Sequence, residues 1–333
     1  MSPEAGVSVL DHRVLALDLG VETERIAAFL RGALGRLKRR GLVVAISGGV
    51  DSGVCAALAV RAVGAERVAG LLLPERDSSP RSTELGRAVA DTLGIAADVI
   101  DIAPAVAALG CYRDRDAAIR TLVPAYNDGW KSKIVIRGGL EGAFNRFDLV
   151  VRPPDGAEQR VALPLRPYLQ IVAAQNLKQR VRKALEYTAA DRLNFAVIGT
   201  PNRLEYDQGF FVKNGDGAAD IKPIAHLYKA QVYALARHLG LPEAVATAEP
   251  TTDTYSLPQG QDEFYFALPW KDLDLALWAL DHGHGAEALA TALSVPIERA
   301  AFVLADLQSK RDATRGLHAA PLLVEPNPAI RPP

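Results

Sequence analysis

Residues 47–52 read Ser-Gly-Gly-Val-Asp-Ser and follow the apolar run LVVAI at 42–46. Their types suit a phosphate. Backbone N–H groups at the start of a helix lack partners and lie at the positive end of its dipole. Glycine lets an anion approach the backbone closely. The Ser47 and Ser52 hydroxyls add donors, and the Asp51 carboxylate can hold a cation against phosphate oxygens. Two better-known phosphate loops do not fit. G-x-x-x-x-G-K-[ST] needs a lysine that this stretch lacks, and G-x-G-x-x-G is unmet because the glycines fall at 48, 49 and 53. A tight turn with a Ser/Asp helix cap would use the same residue types, but the whole string after a strand favours the phosphate.

This stretch resembles the PP-loop of the ATP pyrophosphatases, which cleave ATP between the α- and β-phosphates. Further blocks narrow the resemblance. QNLKQRVRKALEY (175–187), GTPNRLEYDQGFFVKNGDGAADIKPIAHLYKAQV (199–232) and EPTTDT (249–254) are similar, in order and interval, to blocks of the NAD synthetases. LLLPERDSSP (71–80) resembles that family's second nucleotide loop. The resemblance covers residues 20–110 and 170–280. It implies a Rossmann-like, doubly wound parallel α/β sheet of the adenine nucleotide alpha hydrolase type, forming a single domain over 1–333. It also implies amidation of nicotinate adenine dinucleotide (deamido-NAD) to NAD. The nicotinate carboxylate would attack the α-phosphate of ATP, pyrophosphate would leave, and ammonia would displace AMP from the acyl-adenylate.

By the same resemblance, Ser47, Gly48, Gly49, Asp51 and Ser52 contact the phosphates of ATP, and Arg182, Thr200, Lys229 and Thr251 are further ATP-side positions. Asp51 and Glu205 would hold Mg²⁺, with Lys229 neutralising charge on the transferring phosphate; these three are the expected catalytic residues. Asn176, Lys178, Arg180, Lys213, Asp216 and Asp220 fall at positions near the dinucleotide. Lys178 and Arg182 are four apart on one helix, so both can face one ligand. Each residue also has a plainer use. Lys178, Arg180, Arg182 and Lys183 would make an ordinary solvated helix face, and Asn-Gly and Asp-Gly at 214–217 favour turns without any function. The family order of the blocks is what favours the site. The acidic pair Asp262-Glu263 is not assigned to the family's catalytic-loop residues.

These residues need strands and helices to place them. Periodic apolar positions predict a helix over 22–39, a strand at 42–46, a helix over 52–63, a strand at 67–73, a helix over 83–93 and a strand at 97–102. That order implies parallel strands joined by right-handed crossovers. The pattern loosens over 111–168, read as an inserted region holding one hairpin around the Pro-Asp-Gly turn at 154–156. Helix over 172–190, strand at 194–200 and helix over 226–240 follow. Residues 271–333 are expected to form a helical C-terminal extension and an extended tail. Trp130, Phe144, Phe147 and Phe264 are read as packing residues, Cys55 as core, and His282-Gly283-His284 as a helix-end loop.

Composition narrows the classes. The chain has 333 residues and a net charge of −1, which argues against broad nucleic-acid or anionic-membrane binding. No apolar run approaches the ~20 residues of a membrane span. Two cysteines cannot build a disulfide framework, which suits a reducing cytoplasm. No room precedes residue 47 for the amidase domain of glutamine-using relatives, so ammonia is the expected nitrogen source, free or from a separate glutaminase. The expected partners are ATP, deamido-NAD and ammonia, with a homodimer carried over from the family. Two alternatives stay open: a related amide synthetase acting on another carboxylate, such as nicotinate mononucleotide or a secondary metabolite, and a nucleotide-binding module without catalysis.

Overall fold

The structure, a computed structural model, describes residues 10–137, 146–250, 255–258 and 268–325. Four parallel strands form its central sheet: β1 (Leu42–Ala45), β2 (Val68–Leu72), β3 (Ala96–Val99) and β7 (Ala196–Ile198), in the order β3-β2-β1-β7. Alternate residues of β1 serve opposite faces, as the strand period requires. Leu42 and Val44 join one core with Ile26 and Leu30 of α1 (Leu19–Leu37), Val54 and Leu58 of α2 (Val50–Val63) and Val89 of α3 (Pro80–Leu93). Val43 joins the other core, with Val106 of α4 (Ala103–Ala108), Tyr112 of α5 (Cys111–Arg120) and Ala174 of α6 (Leu165–Leu193). Leu42, Val43 and Val44 are wholly buried, which explains an unbroken apolar run rather than an alternating one. The doubly wound parallel sheet is therefore as expected.

The helix ends follow local chemistry. Asp18 caps α1 by accepting from the Val21 amide. Ser79 caps α3, Pro80 occupies its first turn, and Gly94 ends it in the left-handed region. By contrast, no side chain caps α2 at Gly49.

The middle of the chain departs from the expectation. Residues 111–120 are helical, and the interval beyond them holds a three-stranded antiparallel sheet rather than one hairpin. It consists of β4 (Lys131–Arg137), β5 (Arg146–Arg152) and β6 (Gln159–Ala162) in the order β4-β5-β6. The hairpin foreseen around 154–156 is the β5–β6 pair. Helix α6 begins seven positions before the expected 172. The reason is that Pro167 lies in its first turn, where a missing N–H costs nothing.

Among the described residues, α7 (Arg203–Asp207), α8 (Lys229–His238) and α9 (Glu243–Ala246) follow before the C-terminal part. The C-terminal part is helical as read, with α10 (Trp270–Asp281), α11 (Ala286–Leu293) and α12 (Ile297–His318) around Leu275, Leu277, Leu289 and Leu307. Cys55 lies in the core. His282 closes α10 with its ring stacked on Trp278. Among the described residues no single helix is long and apolar enough to cross a membrane.

Candidate active site

The order β3-β2-β1-β7 sends the chain to opposite sides of β1, and ligands of open α/β sheets bind outside the carboxyl ends of the strands at such a switch. Here β1 delivers Ser47–Ser52, β2 delivers the loop that starts at Pro74 and runs to Ser82, and β7 delivers Thr200 and Glu205. They meet around a cavity of about 1570 Å³. The Ser-Gly-Gly turn is tight. Gly48 has φ +87°, and a Cβ there would lie 2.3 Å from the Ser82 carbonyl oxygen, so this position needs glycine twice over. Ser52 Oγ accepts from the Ser47 amide at 3.2 Å and donates to the Gly49 carbonyl at 3.0 Å, which locks the turn from within. The first-turn amides of α2, uncapped, are left for a ligand.

A compact charged group lies beside this loop. Lys229, first residue of α8 and 3% exposed, pairs through Nζ with Asp51 Oδ2. Asn202 Nδ2 donates to Asp51 Oδ1 at 3.2 Å. The same Asn202 caps α7, its Oδ1 accepting from the Glu205 amide at 3.2 Å while its own amide donates to Glu205 Oε2 at 3.2 Å. Asn202 thus links the two acidic residues. Burial works against the charge on Lys229, but Asp51 and Glu205 outweigh it and hold the ammonium well above the usual lysine range. On its far side, Asp274 of α10 caps α8 by accepting from the Lys229 amide at 3.2 Å and the Ala230 amide at 2.7 Å. Burial pushes the Asp274 carboxyl up to about 7, against those two amides and the Lys229 ammonium, which favour its charged form.

Most residues expected from sequence converge on the cavity. Ser47, Gly48, Gly49, Asp51, Ser52, Asn176, Arg180, Arg182, Thr200, Glu205, Lys213, Asp216 and Lys229 all line it. Arg182 spans the β2–α3 loop, donating to the Leu73 carbonyl at 3.0 Å and Ser78 Oγ at 3.3 Å. Arg180 donates to the Lys213 carbonyl at 3.3 Å, and Lys213 Nζ to the Gly316 carbonyl at 3.1 Å, tying α6 and α12 into the wall. Asp216 accepts from the Val212 amide at 2.8 Å, and its burial raises its carboxyl above the usual range. Thr251, together with Asp262, Glu263, Phe144 and Phe264, lies outside the described residues.

Two expected residues stand elsewhere. Asp220 accepts from the Val197 amide at 2.8 Å and closes the edge of β7. Lys178 does not share a ligand-facing side with Arg182. It is 1% exposed, and its Nζ donates to Glu75 Oε1 at 2.9 Å and Asp77 Oδ2 at 2.7 Å. Arg115 donates to the same Asp77 oxygen at 2.5 Å, and the Tyr112 hydroxyl to Glu75 Oε2 at 2.7 Å. Burial works against the Asp77 charge, yet Lys178 and Arg115 hold its carboxyl below the usual range. This buried cluster fixes the loop after β2 from beneath.

The sequence profile of NAD synthase matches residues 22–123 and 158–312. The chain is 56% identical to the NH(3)-dependent NAD(+) synthetase of Rhizobium meliloti (strain 1021), covering 97% of each chain. The chain belongs to the NAD synthase family. It is also 53% identical to the NH(3)-dependent NAD(+) synthetase of Rhizobium rhizogenes (strain K84 / ATCC BAA-868), covering 98% of each. The solved NH3-dependent NAD synthetase of Campylobacter jejuni shares its fold, with a TM-score of 0.59 at 22% identity over 93% of this chain and 100% of that one.

Three features of the site had not been foreseen from the sequence. Asn202 carries a legible signal, since N-x-x-E before a short helix is a capping box. Asp274 is an acidic residue in an otherwise apolar stretch, LDLALWAL, which hints at burial with a partner. The Glu75–Asp77–Arg115–Lys178 cluster joins residues far apart in the chain and leaves no local trace.

Proposed function

We propose that this chain makes NAD from deamido-NAD, using ATP and ammonia and releasing AMP and pyrophosphate. The observation that carries the reading is the PP-loop beside the Asp51–Lys229 pair in one large cavity, in a chain closely related to proteins named NH(3)-dependent NAD(+) synthetases. The cavity aligns two anionic substrates, and the α2 amides, Lys229 and Arg182 supply the positive potential that brings the carboxylate up to phosphorus. Lys229 is fixed at both ends, by Asp51 at the ammonium and by Asp274 at the backbone. Its charge is therefore oriented before reaction, which is what stabilises charge developing on the α-phosphate. The carboxylates of Asp51 and Glu205 fit Mg²⁺, a hard cation that takes one or two carboxylates and completes its shell with phosphate oxygens and water. When bound, the ion would neutralise the departing pyrophosphate.

Atom balance gives the test. One carboxylate oxygen of deamido-NAD becomes the bridging oxygen of the adenylate, stays on phosphorus, and leaves in AMP when ammonia takes the carbonyl carbon. Deamido-NAD labelled with ¹⁸O in its carboxylate should deliver one labelled oxygen to AMP. Unlabelled AMP would rule out the acyl-adenylate. The reading includes a homodimer, which sedimentation at working concentration checks.

A further inference from the structure

Residues 124–157 fall between the two matched parts of the NAD synthase profile, yet they supply part of the cavity wall. Trp130 and Phe147 come from this interval and line the cavity together with Tyr168 and Val172 of α6. Phe147 and Tyr168 stack with centroids 4.5 Å apart and planes 15° from parallel. Trp130 meets Tyr126 edge-on at 6.0 Å, and Tyr126 is buried and hydrogen-bonded to Ser132 Oγ at 3.2 Å. The backs of the rings rest on a core of Ile119, Ile134, Leu149 and Ile171. Trp130, Phe147 and Tyr168 are nonetheless only half-buried. Half-exposed rings on the concave wall of a large cavity are the usual lining of a site for a flat ligand.

Position along α6 separates this wall from the phosphate loop. Tyr168, Val172, Asn176, Gln179 and Arg182 follow one face of the helix and all line the cavity. Tyr168 and Arg182 are about four turns apart, roughly 21 Å along the axis. Arg182 holds the nucleotide loop after β2, so the aromatic wall stands at the other end of a cavity longer than one nucleotide. The neighbouring segment Tyr255–Pro258 lines the same end. It is pinned to β4, with the Ser132 amide donating to Ser256 Oγ at 2.8 Å and the Leu257 amide to the Ser132 carbonyl at 3.2 Å.

Resting on the activity proposed above, we infer that the inserted sheet forms a stacking subsite for one flat ring of the dinucleotide, with Trp130, Phe147 and Tyr168 as its specificity-determining residues. The sequence reading of Trp130 and Phe147 as packing residues is then half of their role. The test is calorimetric binding of deamido-NAD and, separately, of α,β-methylene-ATP to the parent, Trp130→Ala and Phe147→Ala, with melting temperatures recorded for each. Loss of one stacking ring should weaken deamido-NAD about tenfold and leave the ATP analogue unchanged. Nicotinate mononucleotide, measured in parallel, carries the pyridine ring without the adenine. If its affinity falls as well, the subsite holds the pyridine; if it does not, the subsite holds the adenine, and both results support the inference. Unchanged deamido-NAD affinity in both variants, or a loss confined to the ATP analogue, overturns it while leaving the activity in place. A parent that does not bind deamido-NAD overturns the activity and the subsite together.

Discussion

Lys178→Met separates a structural ammonium from a ligand-binding one. Lys178 is 1% exposed and neutralises two carboxylates, Glu75 and Asp77, whose side chains are 0% and 6% exposed. Methionine fills a similar volume and leaves both carboxylates in place. Asp77 would keep Arg115, but the Glu75 carboxylate would keep only the Tyr112 hydroxyl among the described residues. Leaving a buried charge without its partner costs about 3–5 kcal/mol. With an unfolding entropy of about 2 cal/mol/K per residue, ~4 kcal/mol corresponds to about 6 °C in Tm for a chain of this length, if it unfolds as one unit. Differential scanning calorimetry reads that shift. Adding Glu75→Gln should restore much of it, because the orphaned charge is then gone and the Tyr112 hydroxyl still has an acceptor. A Lys178→Met protein that melts like the parent but has a raised KM for deamido-NAD would refute the reasoning. It would put the ammonium on the ligand, as the helix spacing alone suggests.

Two more predictions concern the centre of the site. Asp274 has its folded pKa raised to about 7 from an ordinary 3.8, so the stability linked to its protonated form is complete below about pH 4 and lost as the pH rises through about 7. Asp274→Asn removes this titration, so the Tm of the variant relative to the parent should rise between pH 5 and pH 8; a difference that stays flat or falls rejects the assignment. Asn202→Ser keeps a good helix cap for α7 but is too short to reach Asp51. Its affinity for Mn²⁺, followed by electron paramagnetic resonance with α,β-methylene-ATP present, should fall about tenfold, the usual cost of losing an outer partner of a metal ligand. A lower Tm with unaltered Mn²⁺ affinity would make Asn202 a cap and nothing more.

How much of this was legible in the sequence depends on how local each feature is. Ser47–Ser52 could be read because the strand end, the glycine turn and the helix start are contiguous, and Gly48 owes its φ of +87° to that turn alone. Parallel strands were legible because burial on both faces leaves unbroken apolar runs such as LVVAI. The burial of Lys178 beside Glu75 and Asp77 was not legible, because a four-residue spacing says which side of a helix two residues share, not what packs there. Its partners arrive from the loop after β2 and from α5. The inserted sheet was half legible: Pro154, Asp155 and Gly156 mark the β5–β6 turn, while the pairing of β4 with β5 was not read from the sequence. Pro167 hid the start of α6 because its place in the first turn depends on where the helix begins.

The central claim is that the PP-loop, Asp51 and Lys229 serve adenylation of a dinucleotide carboxylate followed by its capture by ammonia. One incubation with ATP, Mg²⁺, deamido-NAD and ammonium, quantified for NAD, AMP and pyrophosphate, tests it most directly. Equal amounts of all three products, with NAD formation dependent on ammonium, are predicted. AMP and pyrophosphate formed only with a different carboxylate, or no AMP with any carboxylate, would contradict it.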